Sequence, residues 1–269
     1  MIELEKDDFY VVKPLLQDKE GYLIPESIIE HNNPGWVFVD TQLNPQIALI
    51  WSCGIEGFYL VGRNINQYAE KLNHFIDYYL KKKLLSIGVT YVEISGISPI
   101  IDIELQNILG SRKLDSWEQS KYIYREKGIN SFASNEHLYD IKDIIEMENS
   151  FKNIELLKKT ILSYWDTIDI FINKADGLCI IIDNIIASWA FTAWTAGDKH
   201  EPRIDTLEKY RQKGFGKICS STIVNCYLEK GYTPYWECEK TNLASSRIAE
   251  SIGFSKLFDY NCYGFNINN

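Results

Sequence analysis

The sequence predicts an α/β (α+β) chain with a mixed central sheet in its C-terminal half, preceded by a half of similar but degenerate order. Three observations carry that expectation. A β-type run, Arg203–Leu207, enters a glycine-bearing turn that opens into a helix-like segment, Lys217–Lys230. The order of elements around that junction is largely repeated in the first half of the chain. Finally, 45% of the 269 residues are hydrophobic and 13% aromatic, ample for buried cores in one large or two compact domains.

In the first half, Trp36–Asp40, Ile47–Trp51 and Gly57–Gly62 read as strands. Asn66–Leu85 has apolar residues at helical spacing and is expected to be one long amphipathic helix. Thr90–Ile94 reads as a strand, Asp102–Leu109 as a short helix and Gln119–Arg125 as a final strand. The second half begins near Ser134, with helical patterns over Leu138–Ser150 and from Ile154 to Trp165. Strands Leu178–Ile182 and Ile186–Thr195 follow, joined by Asp183-Asn184, a hairpin signal. Lys199–Leu207 is the next strand, Lys217–Lys230 a helix, Thr233–Glu239 a strand and Leu243–Ser251 a short helix. Phe254–Phe265 holds the last one or two strands. The segments from Tyr79 to Ile94 and from Tyr227 to Cys238 both run helix end, glycine, strand, with Glu93 and Glu237 in matching places. The expected domains are 1–133 and 134–269.

Composition narrows the function classes. A net charge of −9 disfavours a phosphate-backbone binder, because nucleic-acid affinity is driven largely by cations, and it suits a cationic acceptor better. No apolar run reaches bilayer-spanning length, and the acidic start, Met1-Ile-Glu-Leu-Glu-Lys-Asp-Asp, is unlike a secretory signal, so a cytoplasmic protein without membrane partners is expected. Six cysteines without a Cys-x-x-Cys pair and four scattered histidines show no metal-ligand spacing.

The junction after residue 203 is the most informative stretch. The first N–H groups of a helix have no intrahelical acceptor, and the helix dipole adds partial positive charge there. Gly214 and Gly216 remove Cβ atoms that would hold an anion away, and Arg211, Lys213 and Lys217 add full charges. This is a cradle for a pyrophosphate. Ile218 follows Gly216-Lys217 where a nucleoside-triphosphatase loop needs Ser or Thr, and a dinucleotide fingerprint needs a third glycine. A plain helix start with two glycines is the remaining alternative for an isolated Arg-x-x-Gly-x-Gly. The first half has Arg63-Asn-Ile-Asn-Gln-Tyr after Gly62 and no such glycines, so it is not expected to bind a pyrophosphate.

From residue 176 to 265 the chain resembles the Gcn5-related N-acetyltransferase (GNAT) superfamily. Four features in order carry the likeness: the strand before the cradle, Arg211-x-x-Gly214-x-Gly216, the Glu237/Asn242 pair and Gly253-Phe254. The wording Tyr210-Arg-Gln-Lys-Gly-Phe-Gly and Trp236-Glu-Cys is most similar to the branch of zwittermicin-resistance-type acetyltransferases. The resemblance implies acetyl-CoA as co-substrate, with no metal. Ile204, Asp205 and Thr206 would pair through their backbone with the pantetheine amides. The N–H groups of Gln212, Lys213, Gly214, Phe215, Gly216 and Lys217 would hold the pyrophosphate, and the Thr206 N–H would polarise the thioester carbonyl. The acetyl group would sit where Lys199–Leu207 splays from Thr233–Glu239.

Glu237 matches the general base of ribosomal-protein alanine acetyltransferases; the alternative is that it only binds a cationic substrate or caps the next turn. Glu239, on the same face by alternation, is second and Asp205 third. Asn242 matches the asparagine that holds the pantetheine arm, although Thr241 or Asn242 can equally cap the helix Leu243–Ser251. Many relatives have a tyrosine seven residues later to protonate the thiolate; here that residue is Ala249, leaving Tyr235, Tyr260, Tyr263 or unassisted departure. Trp189, Phe191 and Trp194 fit a core better than a cation box, and Cys238 falls on the opposite face from Glu237. The first half either walls the acceptor cleft or only stabilises the second. The expected activity is N-acetylation of a small-molecule amine; the rivals are acetylation of protein N-termini or lysines, and non-catalytic acyl-CoA sensing.

Overall fold

The computed structural model describes residues 1–16, 20–125, 138–147 and 151–268. In chain order the elements are β1 (Ile2–Glu3), a 3-10 segment (Lys6–Leu15), α1 (Leu23–Ile29), β2 (Gly35–Val39), β3 (Ile47–Ser52) and β4 (Gly57–Gly62). A helical stretch then comprises a 3-10 turn (Ile65–Tyr68), α2 (Ala69–His74), a π-type turn (Phe75–Leu80) and α3 (Lys81–Ser86). β5 (Tyr91–Ser95), α4 (Pro99–Leu109) and β6 (Asp115–Tyr124) follow, then β7 (Leu138–Asp140), α5 (Ile141–Glu146), α6 (Ile154–Leu162) and α7 (Ile168–Lys174). The chain ends with β8 (Gly177–Ile182), β9 (Ile185–Ala196), β10 (Lys199–Thr206), α8 (Phe215–Glu229), β11 (Thr233–Glu239), α9 (Leu243–Ser251) and β12 (Phe254–Asn266).

These elements form two compact units. The first is Met1–Ser120 with Glu239–Thr241 and Asp259–Asn269; the second is Lys121–Cys238 with Asn242–Phe258. The chain therefore changes unit within β6 and within β12. The expected boundary between 133 and 134 lies outside the described residues.

In the first unit the strand order is β1-β2-β3-β4-β5-β12-β6. Pairing is antiparallel from β1 to β4, parallel between β4 and β5, and antiparallel between β5 and β12. All six residues of β3 are buried, which is why Ile47–Ser52 reads as a continuous apolar run rather than an alternation. The fully buried Trp51 stacks on Trp36 at 5.5 Å and tilts against Phe58 at 4.7 Å. The stretch expected as one helix over 66–85 is interrupted by the π-type turn, which brings adjacent Phe75 and Ile76 inside together while Tyr79 stacks on Phe75.

In the second unit the order is β12-β6-β11-β10-β9-β8-β7. The β8–β9 hairpin turns on Asp183 and Asn184, both left-handed at φ 51° and 63°, as a two-residue hairpin loop requires. α8 and α9 cover one face, with Cys219, Ile223, Tyr227, Trp236, Ala249 and Phe254 in a shared core. Tyr164, Trp165 and Phe171 pack on the other, against Phe191 and Trp194. The segment read as helix from Leu138 instead begins as strand β7 paired to β8, because Leu138–Asp140 adds to an open edge, and its end at 148–150 lies outside the described residues. The helix expected to reach Trp165 stops at Leu162, where the Trp165 indole turns in to donate to the Thr192 carbonyl at 2.9 Å. Phe254–Asn266 is a single strand.

Replacing Trp51 with Ala removes the largest buried side chain of the first unit, and we expect a loss of about 3–5 kcal/mol in unfolding free energy by denaturant titration. A loss below about 1 kcal/mol would mean that this core is not what holds the unit together.

Candidate active site

The site begins where two neighbouring strands part. Among the described residues, β10 and β11 pair in parallel only at Lys199↔Thr233 and His200↔Pro234. From Glu201 on, the pairs of β10 among the described residues run to β9, ending at Thr206↔Ser188. Two local features mark the parting. Glu201 faces Trp194 and Pro202 faces Thr192, so Ala193 is an extra residue that bulges β9. Pro202 itself has no N–H to offer a neighbour. The other edge of Glu201–Thr206 thus leads into an opening in the sheet.

At the far end of β10 lies the glycine turn. Gln212 and Gly214 are left-handed, at φ 61° and 80°, and α8 starts at Phe215, two residues earlier than its sequence suggested, with Gly214 as its cap. The two glycines meet different needs. Gly214 supplies the backbone angle. At Gly216 a Cβ would lie 3.2 Å from Thr206 Oγ1 and 3.7 Å from the Ile248 side chain, so this glycine lets α8 approach β10. Arg211 Nε donates to the Thr206 carbonyl at 3.3 Å, and the Thr206 and Ser188 hydroxyls share a hydrogen bond of 2.8 Å. Arg211, Gln212, Lys213 and Gly214 are exposed, and Phe215, Gly216 and Lys217 form the half-buried first turn. Ile204, Asp205 and Thr206 are half-buried on β10. The Asp205 carboxylate is held by two bonds from Arg203, 2.9 and 3.0 Å, and lies outside the charge cluster described next. Asn242 Oδ1 accepts from the Ser245 N–H at 3.2 Å, so it does cap α9.

The corresponding turn in the first unit is closed from within. After β4, the Ile65 N–H at the helical start donates to Glu104 Oε2 on α4 at 3.1 Å. A carboxylate of the protein thus occupies an anion-seeking donor.

A buried charge cluster lies beside the opening. His200 packs on Tyr227 and Tyr232 toward the α8 face, so its neighbour Glu201 points to the opposite face. Trp236 and Cys238 belong to the α8–α9 core, which puts Glu237 on that same opposite face. Tyr122 and Tyr124 likewise enter that core, and Lys121 alternates with them. The Lys121 ammonium, its side chain fully buried, is ion-paired with Glu237 Oε2. Glu201 is 2% exposed and its Oε2 has no hydrogen-bond partner among the described residues. Burial pushes its carboxyl up to about 8; attraction from Lys121 opposes that rise and repulsion from Glu237 adds to it. Sequence reading passed over Glu201. Its one local signal is an acidic residue between His200 and Pro202 on a strand.

The other candidates are dispersed. Glu239 is exposed, accepts a hydrogen bond from Thr241, and is grouped with the first unit. Tyr235 is buried on β11. Tyr260 hydrogen-bonds Tyr59 at 3.4 Å and Tyr263 donates to Asp102 at 2.6 Å, all within the first unit. Ala249 is fully buried in the α8–α9 core. Cys238 is in the same core, its thiol pushed up by burial. Trp189, Phe191 and Trp194 are buried core residues. Among the described residues no His/Cys/Asp/Glu group is arranged to hold a metal, and no helix is long and apolar enough to cross a membrane.

Two predictions follow from this geometry. In Gly216→Glu the new side chain collides with Thr206 and brings negative charge to the cradle, so coenzyme A binding is expected to vanish in calorimetry while circular dichroism stays native. An unchanged dissociation constant would remove the cradle. The second concerns Glu201, whose folded carboxyl titrates near 8 against an ordinary 4.5. Between those values the unfolded chain gives up a proton that the folded one keeps, so Glu201 loses stability for the fold as pH rises from 4.5 to about 8. Glu201→Gln should therefore gain stability relative to the parent across that window; a difference that does not vary with pH contradicts the buried, protonated carboxyl.

Comparison with known proteins agrees with this architecture. The family model described as GNAT acetyltransferase matches residues 13–263. The chain is 24% identical over 266 residues, 97% of both proteins, to a Bacillus subtilis (strain 168) protein described as the uncharacterized N-acetyltransferase YdfB. Among solved structures it resembles a GCN5-related N-acetyltransferase-like protein from Streptococcus suis 89/1591, with a TM-score of 0.62, 17% identity, and coverage of 96% of this chain and 98% of that one. It also resembles a tandem GNAT protein from the clavulanic acid biosynthesis pathway, with a TM-score of 0.63, 8% identity and coverage of 99% and 98%. The splayed strands and the glycine turn at a helix start are thus set in a GNAT fold. The chain belongs to the GNAT acetyltransferase family and is an acyltransferase.

Proposed function

We propose that this protein transfers an acetyl group from acetyl-CoA to the amine of a small molecule, that the second unit alone holds the cofactor, and that Glu201 receives the amine proton. Left-handed Gln212 and Gly214 lead directly into the start of α8, where the first N–H groups lack intrahelical acceptors, and this supports the reading of Gln212 to Lys217 as the pyrophosphate cradle. The open edge of Ile204–Thr206 suits the amides of an extended arm, which would add to the sheet as a strand does. Asn242, with its Oδ1 engaged in the cap, can still donate from its amide nitrogen. The bound cofactor supplies an activated thioester. The closed turn at Ile65–Glu104 supports leaving the first unit, a degenerate copy of the second, without cofactor.

The single observation that carries the chemistry is Glu201, a buried carboxyl with a free oxygen at the opening of the sheet. An amine arrives largely as ammonium, since free α-amino groups titrate near 8 and alkyl amines near 10. It must lose a proton to become nucleophilic. A carboxyl titrating near 8 is matched to that task, whereas one in the ordinary range would hold the proton too weakly. The role that sequence gave to Glu237 passes to Glu201 in this reading, with Glu237 as its charged neighbour. A small-molecule acceptor is favoured by the likeness of Tyr210–Gly216 to the zwittermicin-resistance-type branch; protein N-termini are the second reading, separated by an amine panel against a peptide panel.

Glu201→Gln is expected to lower turnover by about 10²–10⁴ with coenzyme A affinity unchanged, and to abolish the acidic limb of the pH–rate profile. Full turnover and an unaltered profile in that variant would overturn the assignment.

A further inference from the structure

We propose that Lys121 is a positioning residue that decides which of two glutamates, buried Glu201 or half-buried Glu237, exchanges the proton: by pairing with Glu237 it leaves Glu201 as the acceptor. The inference rests on the reading of Glu201 as base, and goes beyond it in giving the site a third member from a distant strand. Lys121 comes from β6, far from β10 and β11 in sequence, and no part of its side chain reaches solvent. A buried ammonium persists only where it is paired. Its partner is Glu237, not Glu201, whose Oε2 remains without a hydrogen bond. An ammonium favours the charged form of the carboxyl it pairs with, and the buried second carboxyl then lies beside a negative charge that raises the cost of its own ionisation.

The groups whose charge acts on Glu201 come from several elements. Lys121 on β6 attracts its charged form, and Glu237 on β11 repels it. Tyr164 after α6, Tyr227 on α8 and Cys238 on β11 also feel Glu201; burial holds all three up, so they stay neutral beside it. Lys121 and Glu237 are thus the two fixed charges that tune the base, and they act with opposite sign.

That opposition gives the test. The pH dependence of turnover at saturating acetyl-CoA and acceptor is measured for the full chain and for Lys121→Met, Glu237→Gln and Lys121→Arg. Losing Lys121 removes the attraction, so the acidic limb should move up by about one pH unit or more, lowering turnover at pH 7 by about tenfold. Losing Glu237 removes the repulsion while the attraction of Lys121 remains, so the limb should move down by a similar amount. Lys121→Arg, which keeps the charge, should restore the limb toward the parent value. Limbs moving in opposite directions support the proposal, because loss of packing alone would not reverse sign between partners. Limbs that stay put, or move the same way, overturn it. Should Lys121→Met fail to fold, the downward shift in Glu237→Gln decides alone. Glu201→Gln separates the two levels: if that variant keeps the parent limb, the base assignment itself has failed, whereas loss of its limb with immobile limbs in the others removes only the role of Lys121.

Discussion

Where β10 and β11 part after His200, the sheet gives up ladder hydrogen bonds in its own interior. Backbone groups left without partners in a buried place are unfavourable, so the parting has to be held by something local. Pro202 has no N–H to leave unpaired, the bulge at Ala193 bends β9 opposite the parting, and the two arms of the opening lead to different ends. One arm runs to Thr206, against which α8 is seated through Gly216. The other carries Glu237 to its ion pair with Lys121. The glycine turn and the buried charge cluster thus share one structural cause.

The electrostatics of the opening follow from what surrounds it. The same rule that makes Glu201 costly to ionise applies to the buried Lys121, whose ammonium is ion-paired with Glu237. In water these three groups would ionise independently. Inside the second unit they form a linked set, and the carboxyl without a charged hydrogen-bond partner becomes the one whose proton is exchangeable near neutral pH. The first unit shows the contrast. Its equivalent turn has an internal carboxylate, Glu104, on a helical N–H, and its Tyr263–Asp102–Gln106 network is satisfied within itself.

Much of the fold was legible because its signals are local. Strand and helix limits around the cradle fall within two residues of expectation, since glycines, the Asp183-Asn184 turn and runs of apolar residues act over a few positions. Asn242 was read both as a cap and as a cofactor contact; the cap is present. What was not legible depends on distance in sequence. Glu201 gained its character from Lys121, eighty positions upstream, and from burial that no window of residues reports. The placement of Asp259–Asn269 in the first unit rests on β12 pairing with β5, also a long-range event. The π-type turn at Phe75–Leu80 broke a helix whose apolar spacing was otherwise regular, and β7 formed from a segment whose pattern was helical, because an open sheet edge was available.

The link between the opened sheet and the chemistry is a Glu201 carboxyl that gains and loses its proton near neutral pH, well above the ordinary carboxylate range, inside the second unit. Carbon-13 NMR of the protein labelled at glutamate carboxyls, with Glu201→Gln used to assign the resonance, reads that state directly. A Glu201 signal that titrates near pH 8 is the result expected from the buried cluster. A signal already ionised at pH 6 would contradict it, and with it the link between the opened sheet and the chemistry.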